Sequence, residues 1–408
     1  MRRRHLLALA PTAALAACTT PGEDPATDGN GDSGGSSDGG TGSADGSDGG
    51  GPTDDPTTEP TEDPPTAAEL LLEELEPREL AGQLVLVGIP AGTEIPREVL
   101  AEHHAGGIFL LQVWESADAV DAAVAVAQEG SRPDLPPLIA VDQEGGQVRM
   151  LRGDAARKTA SAESLGKDGT DAVAEAYTSI GEDLAARGIH VAFSPVADVV
   201  DPALGDGNGP VGTLDRGFGT EPEQVGECVA AAVEALDAQG VAATLKHFPG
   251  LGRVRENTDF SAEGIEDTVT GPDDPFLGSF SAGIDAGAQL VMMSSAIYPQ
   301  LEEGVPAMFS RAAIQDLLRD QLGFTGLVVT DDIGAAQAVA DVPVAERATR
   351  PLAAGGDVVI TADASLTGQL VDAIQEWAAE DPANLERVEE SVLRVLTLKE
   401  QLGLLAAE

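Results

Sequence analysis

Short apolar segments that alternate with longer amphipathic ones constrain the fold of this chain more than any other feature. The candidate strands are Leu84–Gly88, Gly107–Leu111, Leu138–Val141, Val191–Phe193, Ala243–Leu245, Leu290–Met293, Leu327–Thr330 and Val358–Thr361. Helical patterns lie between them, for example at Asp171–Arg187, Val225–Ala238, Arg311–Gln321 and Thr367–Ala379. Continuous apolar strands that alternate with helices need cover on both faces, so the pattern predicts a parallel sheet in an α/β fold.

The number of strands selects the architecture. No second linker and no short repeat interrupts residues 67–408, which we therefore expect to form one catalytic domain. Eight strands in a single domain of this length predict a (β/α)₈ TIM-type barrel. An open doubly wound sheet is the alternative, and it is less favoured because no glycine-rich dinucleotide fingerprint follows the first strand.

The first 66 residues have a different composition. Arg2–Arg4 precede the apolar run Leu6–Leu15, a pattern typical of a targeting segment that is too short to span a bilayer permanently. The tetrapeptide that ends at Cys18 resembles a bacterial lipobox, so we predict a lipoprotein signal peptide over residues 1–17 and lipidation of Cys18. An ordinary secretory signal is the alternative. Residues 18–66 are rich in Gly, Ser, Asp and Pro, which predicts a disordered tether.

The net charge and the cysteine content limit which binding partners and which location we expect for this chain. The chain carries 70 acidic and 23 basic side chains, a formal net charge of −47, which argues against nucleic acid as a partner. Apart from Cys18 there is one cysteine, Cys228, which lies in a helical pattern and is predicted to be a small buried hydrophobe. We expect an extracytoplasmic monomer that is lipid-anchored to the cell membrane through Cys18.

Polar residues gather where the predicted strands end. They are Asp142 and Glu144 after the third strand, Asp198 after the fourth, Lys246 and His247 after the fifth, Ser295 after the sixth, Asp331 and Asp332 after the seventh, and Asp363 after the eighth. Barrel enzymes build their sites from the loops at this end of the strands. Helix capping is the alternative for Asp363, Asp332 and Ser295, but Lys and His are not capping residues.

The residue types limit the chemistry. No His–Glu–x–x–His motif, cysteine cluster, phosphate-binding loop or Gly–x–Ser–x–Gly elbow is present, so we expect neither a metal nor a cofactor. Carboxylates together with Lys, Arg and His donors suit a ligand with many hydroxyl groups. The reaction class that uses paired carboxyl groups on a sugar is glycoside hydrolysis.

Five motifs carry a resemblance to a known family. They are Asp142–Arg149, Phe193–Asp198, Asp215–Gly219, Lys246–Gly250 and Val328–Asp332. In this order they resemble glycoside hydrolase family 3, in its single-domain β-N-acetylglucosaminidase branch. The resemblance implies a (β/α)₈ barrel, a retaining mechanism without a metal, and removal of terminal N-acetylglucosamine from peptidoglycan fragments or chitin-type oligosaccharides.

The resemblance also implies roles for single residues. Asp331 matches the nucleophile that forms a covalent glycosyl-enzyme, and its neighbour Asp332 is expected to support it or to cap a helix. The residues that match sugar-binding positions are Asp142, Arg216, Lys246 and His247, with Arg149 as a further candidate. A surface ion pair is the alternative for Arg216.

The acid/base position departs from the family pattern. In this branch the loop after Lys-His-Phe-Pro-Gly carries an Asp-Ser-His segment whose His is the acid/base, whereas here Asn257, Thr258 and Asp259 stand at those positions. Three accounts are open, in order of preference. Asp259 is the acid/base, with Asn257 to orient it; or Glu256, or another acid such as Glu263, swings in on a mobile loop; or protonation is poor, and the protein cleaves only activated substrates or merely binds saccharides. A β-glycosidase of other specificity and a phosphorylase are further alternatives.

Overall fold

The computed structural model describes residues 64–405, and eight parallel strands form a closed barrel in it. The strands are β1 Val85–Pro90, β2 Gly107–Leu111, β3 Leu138–Val141, β4 Val191–Ala192, β5 Ala242–Phe248, β6 Leu290–Met293, β7 Leu327–Asp332 and β8 Val358–Thr361. Each strand pairs with its neighbours in sequence, and Val85 of β1 pairs with Val359 of β8 to close the ring. The predicted (β/α)₈ barrel is therefore confirmed.

Helices surround the barrel. They are α1 Ala67–Glu74, α2 Pro77–Gln83, α3 Arg97–Ala101, α4 Ala117–Gly130, α5 Ala162–Asp168, α6 Thr170–Ala186, α7 Pro222–Asp237, α8 Gly278–Asp285, α9 Val344–Ala353, α10 Thr367–Glu380 and α11 Pro382–Gln401, with a π-helix at Ala312–Gln321 between α8 and α9. Short 3₁₀ turns lie at Gly205–Gly207, Gly212–Leu214, Pro275–Leu277, Ala307–Phe309, Gln337–Val339 and Ala364–Leu366.

Helix α7 illustrates why these sequences form helices here. Proline at its first position has the backbone angle that a helix needs and no N–H group to leave unpaired. Val225, Val229, Ala232 and Leu236 then recur at helical spacing and are all buried. This apolar stripe packs against the barrel, and its burial stabilises the helix more than local propensity does.

Three strands are longer than predicted. Strand β1 ends at Pro90 and not at Gly88, and the other two differences fall at the site. Strand β5 continues through Lys246, His247 and Phe248, which we had placed in a loop after the strand. Strand β7 likewise includes Asp331 and Asp332. The pairing of β5 with β6 shifts between Lys246 and Phe248, so the ladder persists although the side chains are polar. Charged residues at the end of a strand broke the apolar pattern without ending the strand.

Several predictions concern the flanking parts of the chain. The predicted signal peptide, Cys18 and nearly all of the predicted tether lie outside the described residues, whereas the first described helix begins at Ala67. Cys228 is a free, buried cysteine, as predicted. Within residues 64–405, no helix combines the length and apolar character needed to cross a bilayer.

Candidate active site

Lys246 is the centre of a buried ion cluster at the carboxyl end of β5. Its side chain is only 1% exposed, and its Nζ lies 2.5 Å from Asp142 Oδ1 and 2.6 Å from Glu144 Oε1. Burial by itself disfavours the ammonium form, but the two carboxylates outweigh burial and raise the pKa of Lys246. The lysine is therefore a permanent cation that fixes both carboxylates.

Arg216 completes the cluster from the loop that follows β4. Its Nε and Nη2 each lie 2.8 Å from one oxygen of Glu144, a bidentate pair, and its Nη1 donates to the carbonyl oxygen of Pro210. Although burial opposes ionisation, Arg216 and Lys246 hold the pKa of Glu144 at about 2. Arg216 is mostly buried, so it is not the surface ion pair that we considered as an alternative.

His247 faces the same corner. Its Nε2 lies 3.4 Å from Nη2 of Arg216, and its Nδ1 lies 2.8 Å from Oδ2 of the fully buried Asp198. The other oxygen of Asp198 accepts hydrogen bonds from the backbone N–H groups of His247 and Leu251. Asp198 thus orients the imidazole and also holds the first residue of the loop that follows.

Asp331 lies at the end of β7, and both of its carboxylate oxygens have a hydrogen-bond donor nearby. Its Oδ1 accepts a hydrogen bond of 2.8 Å from the backbone N–H of Asp332, and the hydroxyl of Ser295 lies 3.4 Å from its Oδ2. The carboxylate of Asp332 accepts hydrogen bonds from the backbone N–H groups of Gly334, Ala335 and Ala362.

Asp259 brings a second carboxyl group to the same pocket. Part of its surface is open to solvent, yet the protein packed around it raises its pKa to about 6, and repulsion from Asp331 adds to the shift. The positive fields of His247 and Arg216 act in the opposite direction. A carboxyl group with a raised pKa, beside one that accepts hydrogen bonds from neighbouring donors, is an arrangement in which two nearby carboxyl groups can differ in protonation.

The remaining predicted residues lie further from this cluster. Arg149 donates to the carbonyl oxygen of Gly146, and its pKa is lowered by burial and by Arg152. Glu256 is exposed, and its side chain lies against Gly264 on a turn of the loop. Asn257 accepts a hydrogen bond from the backbone N–H of Asp259 through its Oδ1. Asn257 therefore contacts the residue that we expected it to orient. Among the hydrogen bonds of residues 64–405, none joins Arg149 or Glu256 to the ion cluster.

Sequence reasoning did not assign a role to three residues of the site. Glu144 bridges Lys246 and Arg216, Asp198 holds His247, and Ser295 approaches Asp331. Each lies in one of the five motifs or directly after a predicted strand, so the sequence places the residue at the strand ends. The sequence does not predict its bonding partner, because the partners are far apart along the chain. Across residues 64–405, His, Cys, Asp and Glu side chains form no group suited to holding a metal ion.

Comparison with known proteins agrees with this geometry. The sequence profile of the "Glycosyl hydrolase family 3 N terminal domain" matches residues 78–398. A "Beta-hexosaminidase" of Xanthomonas axonopodis pv. citri (strain 306) is 36% identical over 304 residues, covering 72% of this chain and 87% of that protein.

Two solved structures extend the comparison. The "Beta-N-acetylhexosaminidase from Beutenbergia cavernae DSM 12333" is 39% identical with a TM-score of 0.76, covering 80% of this chain and 99% of that one. A "glycoside hydrolase family 3 beta-N-acetylglucosaminidase from Paenibacillus sp. str. FPU-7" is 29% identical with a TM-score of 0.72, covering 82% of this chain and 64% of that one. Because the family profile spans most of the barrel and these relatives resemble the chain over most of its length, the chain belongs to glycoside hydrolase family 3 and is a glycosidase.

Proposed function

We propose that this protein is a retaining β-N-acetylhexosaminidase that removes terminal, non-reducing N-acetylglucosamine. The observation that carries the proposal is the pair formed by Asp331 and Asp259, in which one carboxyl is held by donors and the other has a pKa raised to about 6. The hexosaminidase names of the relatives support the choice of sugar. The buried cluster around Lys246 supplies charged groups that suit the sugar hydroxyls.

The proposed reaction has two steps. In the first, a carboxylate oxygen of Asp331 forms a bond to the anomeric carbon while the glycosidic C–O bond breaks, and Asp259 donates its proton to the departing oxygen. In the second, water attacks the anomeric carbon of the glycosyl-enzyme, Asp259 takes a proton from that water, and Asp331 leaves as a carboxylate. The two inversions at carbon give net retention of configuration.

Electrostatics favour water over phosphate in the second step. Asp259 is ionised once it has released its proton, and Asp332 lies close enough to influence it. A phosphate anion entering beside these carboxylates would be repelled, whereas neutral water would not. We therefore propose hydrolysis and not phosphorolysis.

A saccharide-binding protein without catalysis is less well supported. Binding needs hydrogen-bond partners for the sugar, which the cluster around Lys246 already provides, but it does not need a second carboxyl with a raised pKa. Glu256 is a weaker acid candidate than Asp259. Both residues are exposed, but the Glu256 side chain lies against Gly264, whereas the charges of Asp331, His247 and Arg216 act on the Asp259 carboxyl group.

We also propose where the enzyme acts. A lipid on Cys18 and a tether over residues 18–66 would hold the barrel outside the cytoplasm, at the cell membrane. Fragments of peptidoglycan with terminal N-acetylglucosamine would be the substrates within reach there.

Substitution of the two carboxyl groups tests the reaction. Asp331→Asn is expected to lower turnover of an aryl β-N-acetylglucosaminide by at least about a thousandfold, because the nucleophile is lost. Asp259→Asn is expected to lower kcat/KM for a poor leaving group roughly 10²–10⁴-fold and to spare kcat/KM for a dinitrophenyl leaving group, which departs without a proton. For the dinitrophenyl substrate kcat should still fall, because the second step loses its base. Under these conditions Asp259→Asn should accumulate a glycosyl adduct on Asp331, visible by mass spectrometry.

Two controls accompany this experiment. Glu256→Gln should behave like the wild type on both leaving groups, since its side chain lies outside the pocket. Inorganic phosphate should leave the rate unchanged, and the product should be the free sugar. Full activity of Asp331→Asn would refute the proposed nucleophile, and a sugar phosphate as product would refute hydrolysis.

A further inference from the structure

The loop that carries Asp259 is bonded to the loop that follows the nucleophile. The backbone N–H of Gln337 donates to the carbonyl oxygen of Asp259 at 3.2 Å, and the N–H of Ala338 donates to that of Thr258 at 3.1 Å. Gln337 and Ala338 belong to the 3₁₀ turn Gln337–Val339, a few residues beyond Asp331. Two backbone hydrogen bonds, here called the loop tie, therefore join the elements that carry the two carboxyl groups.

Arg347 gives the nucleophile's loop its shape. From helix α9 its guanidinium donates to three backbone carbonyl oxygens, those of Val342 at 2.6 Å, Ile333 at 2.9 Å and Ala340 at 2.8 Å. No carboxylate of residues 64–405 lies within ion-pair distance of it. In a chain with 70 acidic residues, an arginine whose three side-chain hydrogen bonds all go to backbone carbonyl oxygens acts on the backbone and not on a charge partner.

The beginning of the same loop is held by Asp332. Its carboxylate accepts hydrogen bonds from Gly334, Ala335 and Ala362. Residues 333–342 are therefore fixed at one end by Asp332 and at the other by Arg347. The N–H groups of the loop tie lie between these two anchors.

The acid's loop is anchored independently at its beginning. Both carbonyl oxygens that flank its first turn, those of Leu251 and Val254, accept hydrogen bonds from the side-chain amide of the buried Asn208. Asn257 then caps the turn that contains Asp259. The loop is thus bonded to its surroundings at its beginning and has a further internal hydrogen bond beside Asp259.

We propose that Arg347 is a positioning residue for the acid Asp259, and that it acts through the loop tie. The inference rests on the proposed function, in which Asp259 protonates the leaving group. Arg347 shapes residues 333–342, these residues present the N–H groups of Gln337 and Ala338, and the tie sets the distance of Asp259 from the bond that breaks. A displacement of about 1 Å can cost roughly 10²-fold in rate, but only where the proton is needed.

The tie can be cut at one donor. Gln337 is the first residue of its 3₁₀ turn, and Ala336 before it is extended with ψ at 130°, a conformation that proline requires of its predecessor. Gln337→Pro therefore fits the backbone while removing the N–H group that bonds to Asp259. Gln337→Ala keeps that N–H group and is the matched control.

The expected result is a dependence on the leaving group. Gln337→Pro should lower kcat/KM by roughly tenfold or more for methyl or sugar leaving groups and by less than about twofold for dinitrophenyl. Gln337→Ala should match the wild type on both. An equal loss on both leaving groups, or no loss on either, would overturn the proposal.

Arg347 is tested against its neighbour on the same helix. Arg347→Met should show the same selective loss on poor leaving groups, and Arg347→Lys, which has one donor group for three carbonyls, should lie between Met and the wild type. Arg350→Met is the control, because the Arg350 guanidinium lies over the Phe309 ring at 4.5 Å and takes no part in the tie. If Arg347→Met lost activity equally on poor and on activated leaving groups, the effect would be purely structural and would contradict the proposal.

Hydrogen exchange separates this inference from the proposed function. The amides of Phe260 and Ser261 bond to the carbonyl of Asn257 beside the tie, so they should exchange faster in Gln337→Pro than in Gln337→Ala. If these amides exchanged faster but the protein cleaved no glycoside, the loop tie would be supported and the proposed function refuted. Unchanged exchange together with an unselective rate loss would reject the tie alone.

Discussion

Two lysines are completely enclosed by this protein, and they lie at opposite ends of the barrel. Lys246 is 1% exposed and ends β5 at the site. Lys399 is 0% exposed in α11, and its Nζ donates to Oε1 of Gln83 at 2.6 Å, directly before β1 begins. Lys246 therefore lies at the end of the barrel that carries the site. Lys399, which is equally buried, lies at the opposite end, where the strands begin, here called the floor.

Their neighbours decide the outcome. Burial opposes the charge of both, but two carboxylates raise the pKa of Lys246, whereas burial alone lowers the pKa of Lys399 to about 7. The carboxyl groups divide in the same way. Glu144, with two cations bonded to it, has a pKa of about 2, and Asp259, with none bonded, has a pKa of about 6. A bonded partner of opposite charge, and not depth of burial, therefore decides whether the pKa of each group shifts toward its ionised or its neutral form.

The largest expected effect comes from removing the compensated cation. Lys246→Met leaves Asp142 and Glu144 with one cation fewer, so we expect a fall of about 3–5 kcal/mol in the free energy of unfolding. Turnover should fall by about a thousandfold, because the sugar-binding corner loses its geometry. Urea denaturation and steady-state kinetics measure the two effects. Lys246→Met combined with Glu144→Gln should recover part of the stability and none of the activity. A double variant that is no more stable than Lys246→Met would contradict the idea that Lys246 compensates the buried charge of Glu144.

The next effect concerns the uncompensated acid. Asp259 acts when protonated, and its pKa is raised to about 6, so kcat/KM for a poor leaving group should fall about tenfold per pH unit above pH 6. At pH 8 the loss should be about a hundredfold. A pH–rate profile measures this fall, and Asp259→Asn should remove it while lowering the whole curve. A fall that persists in Asp259→Asn would belong to another group.

The sequence predicted the barrel and the positions that carry the site, for a physical reason. Strand and helix periodicity are local, and the eight apolar segments were sufficient to predict eight strands in order. Polar residues at strand ends were also local, so Asp331 and Lys246 could be placed at one end of the barrel, whereas Arg216 was identified only through the resemblance to the family. What local pattern could not predict was which groups bond. Glu144 lies 72 residues from Arg216 and Asp198 lies 49 from His247, and no sequence period connects them.

The burial of Lys399 was hidden for a related reason. Helix α11 has Lys399 in its last turn, where a lysine usually faces solvent and interacts with the helix dipole. Only the packing of α11 under the barrel shows that this lysine is enclosed. The loop tie was likewise invisible, because backbone N–H groups leave no signature in the residue types at Gln337 and Ala338.

A smaller, stabilising effect is expected from the floor. Lys399 has a pKa of about 7 in the fold and about 10.5 when unfolded, so its burial costs about 4–5 kcal/mol below pH 7. Lys399→Met removes that cost but leaves Gln83 Oε1 without its donor, which returns about 1–3 kcal/mol. We expect a net gain of about 2 kcal/mol at pH 6.

The sign of the pH dependence makes this prediction specific. In the wild type the unfolded chain binds more protons than the fold between pH 7 and 10.5, so stability rises with pH across this window. The advantage of Lys399→Met should therefore shrink as the pH rises above 7 and vanish at about pH 8–9, where the remaining cost of burying Lys399 equals the cost of the unpaired Gln83 oxygen. By about pH 10.5 it should have become a deficit of about 1–3 kcal/mol. Lys158→Met, at an exposed position, is the control and should change stability by less than about 0.5 kcal/mol. An advantage that is constant with pH would show that packing, and not charge, is responsible.

The smallest expected effect is on His190, beside the floor lysine. Its Nδ1 accepts the backbone N–H of Ile139 at 3.1 Å, and burial, with the charge of Lys399 adding to it, lowers its pKa to about 4. In Lys399→Met the second cause disappears, so the pKa of His190 should rise by less than about one unit and stay below 6.5, because burial and the accepted hydrogen bond still favour the neutral ring. NMR titration of the imidazole measures this shift. An unchanged pKa would mean that Lys399 carries no charge that reaches His190 at acidic pH, and the contrast between the two ends of the barrel would then rest on Lys246 alone.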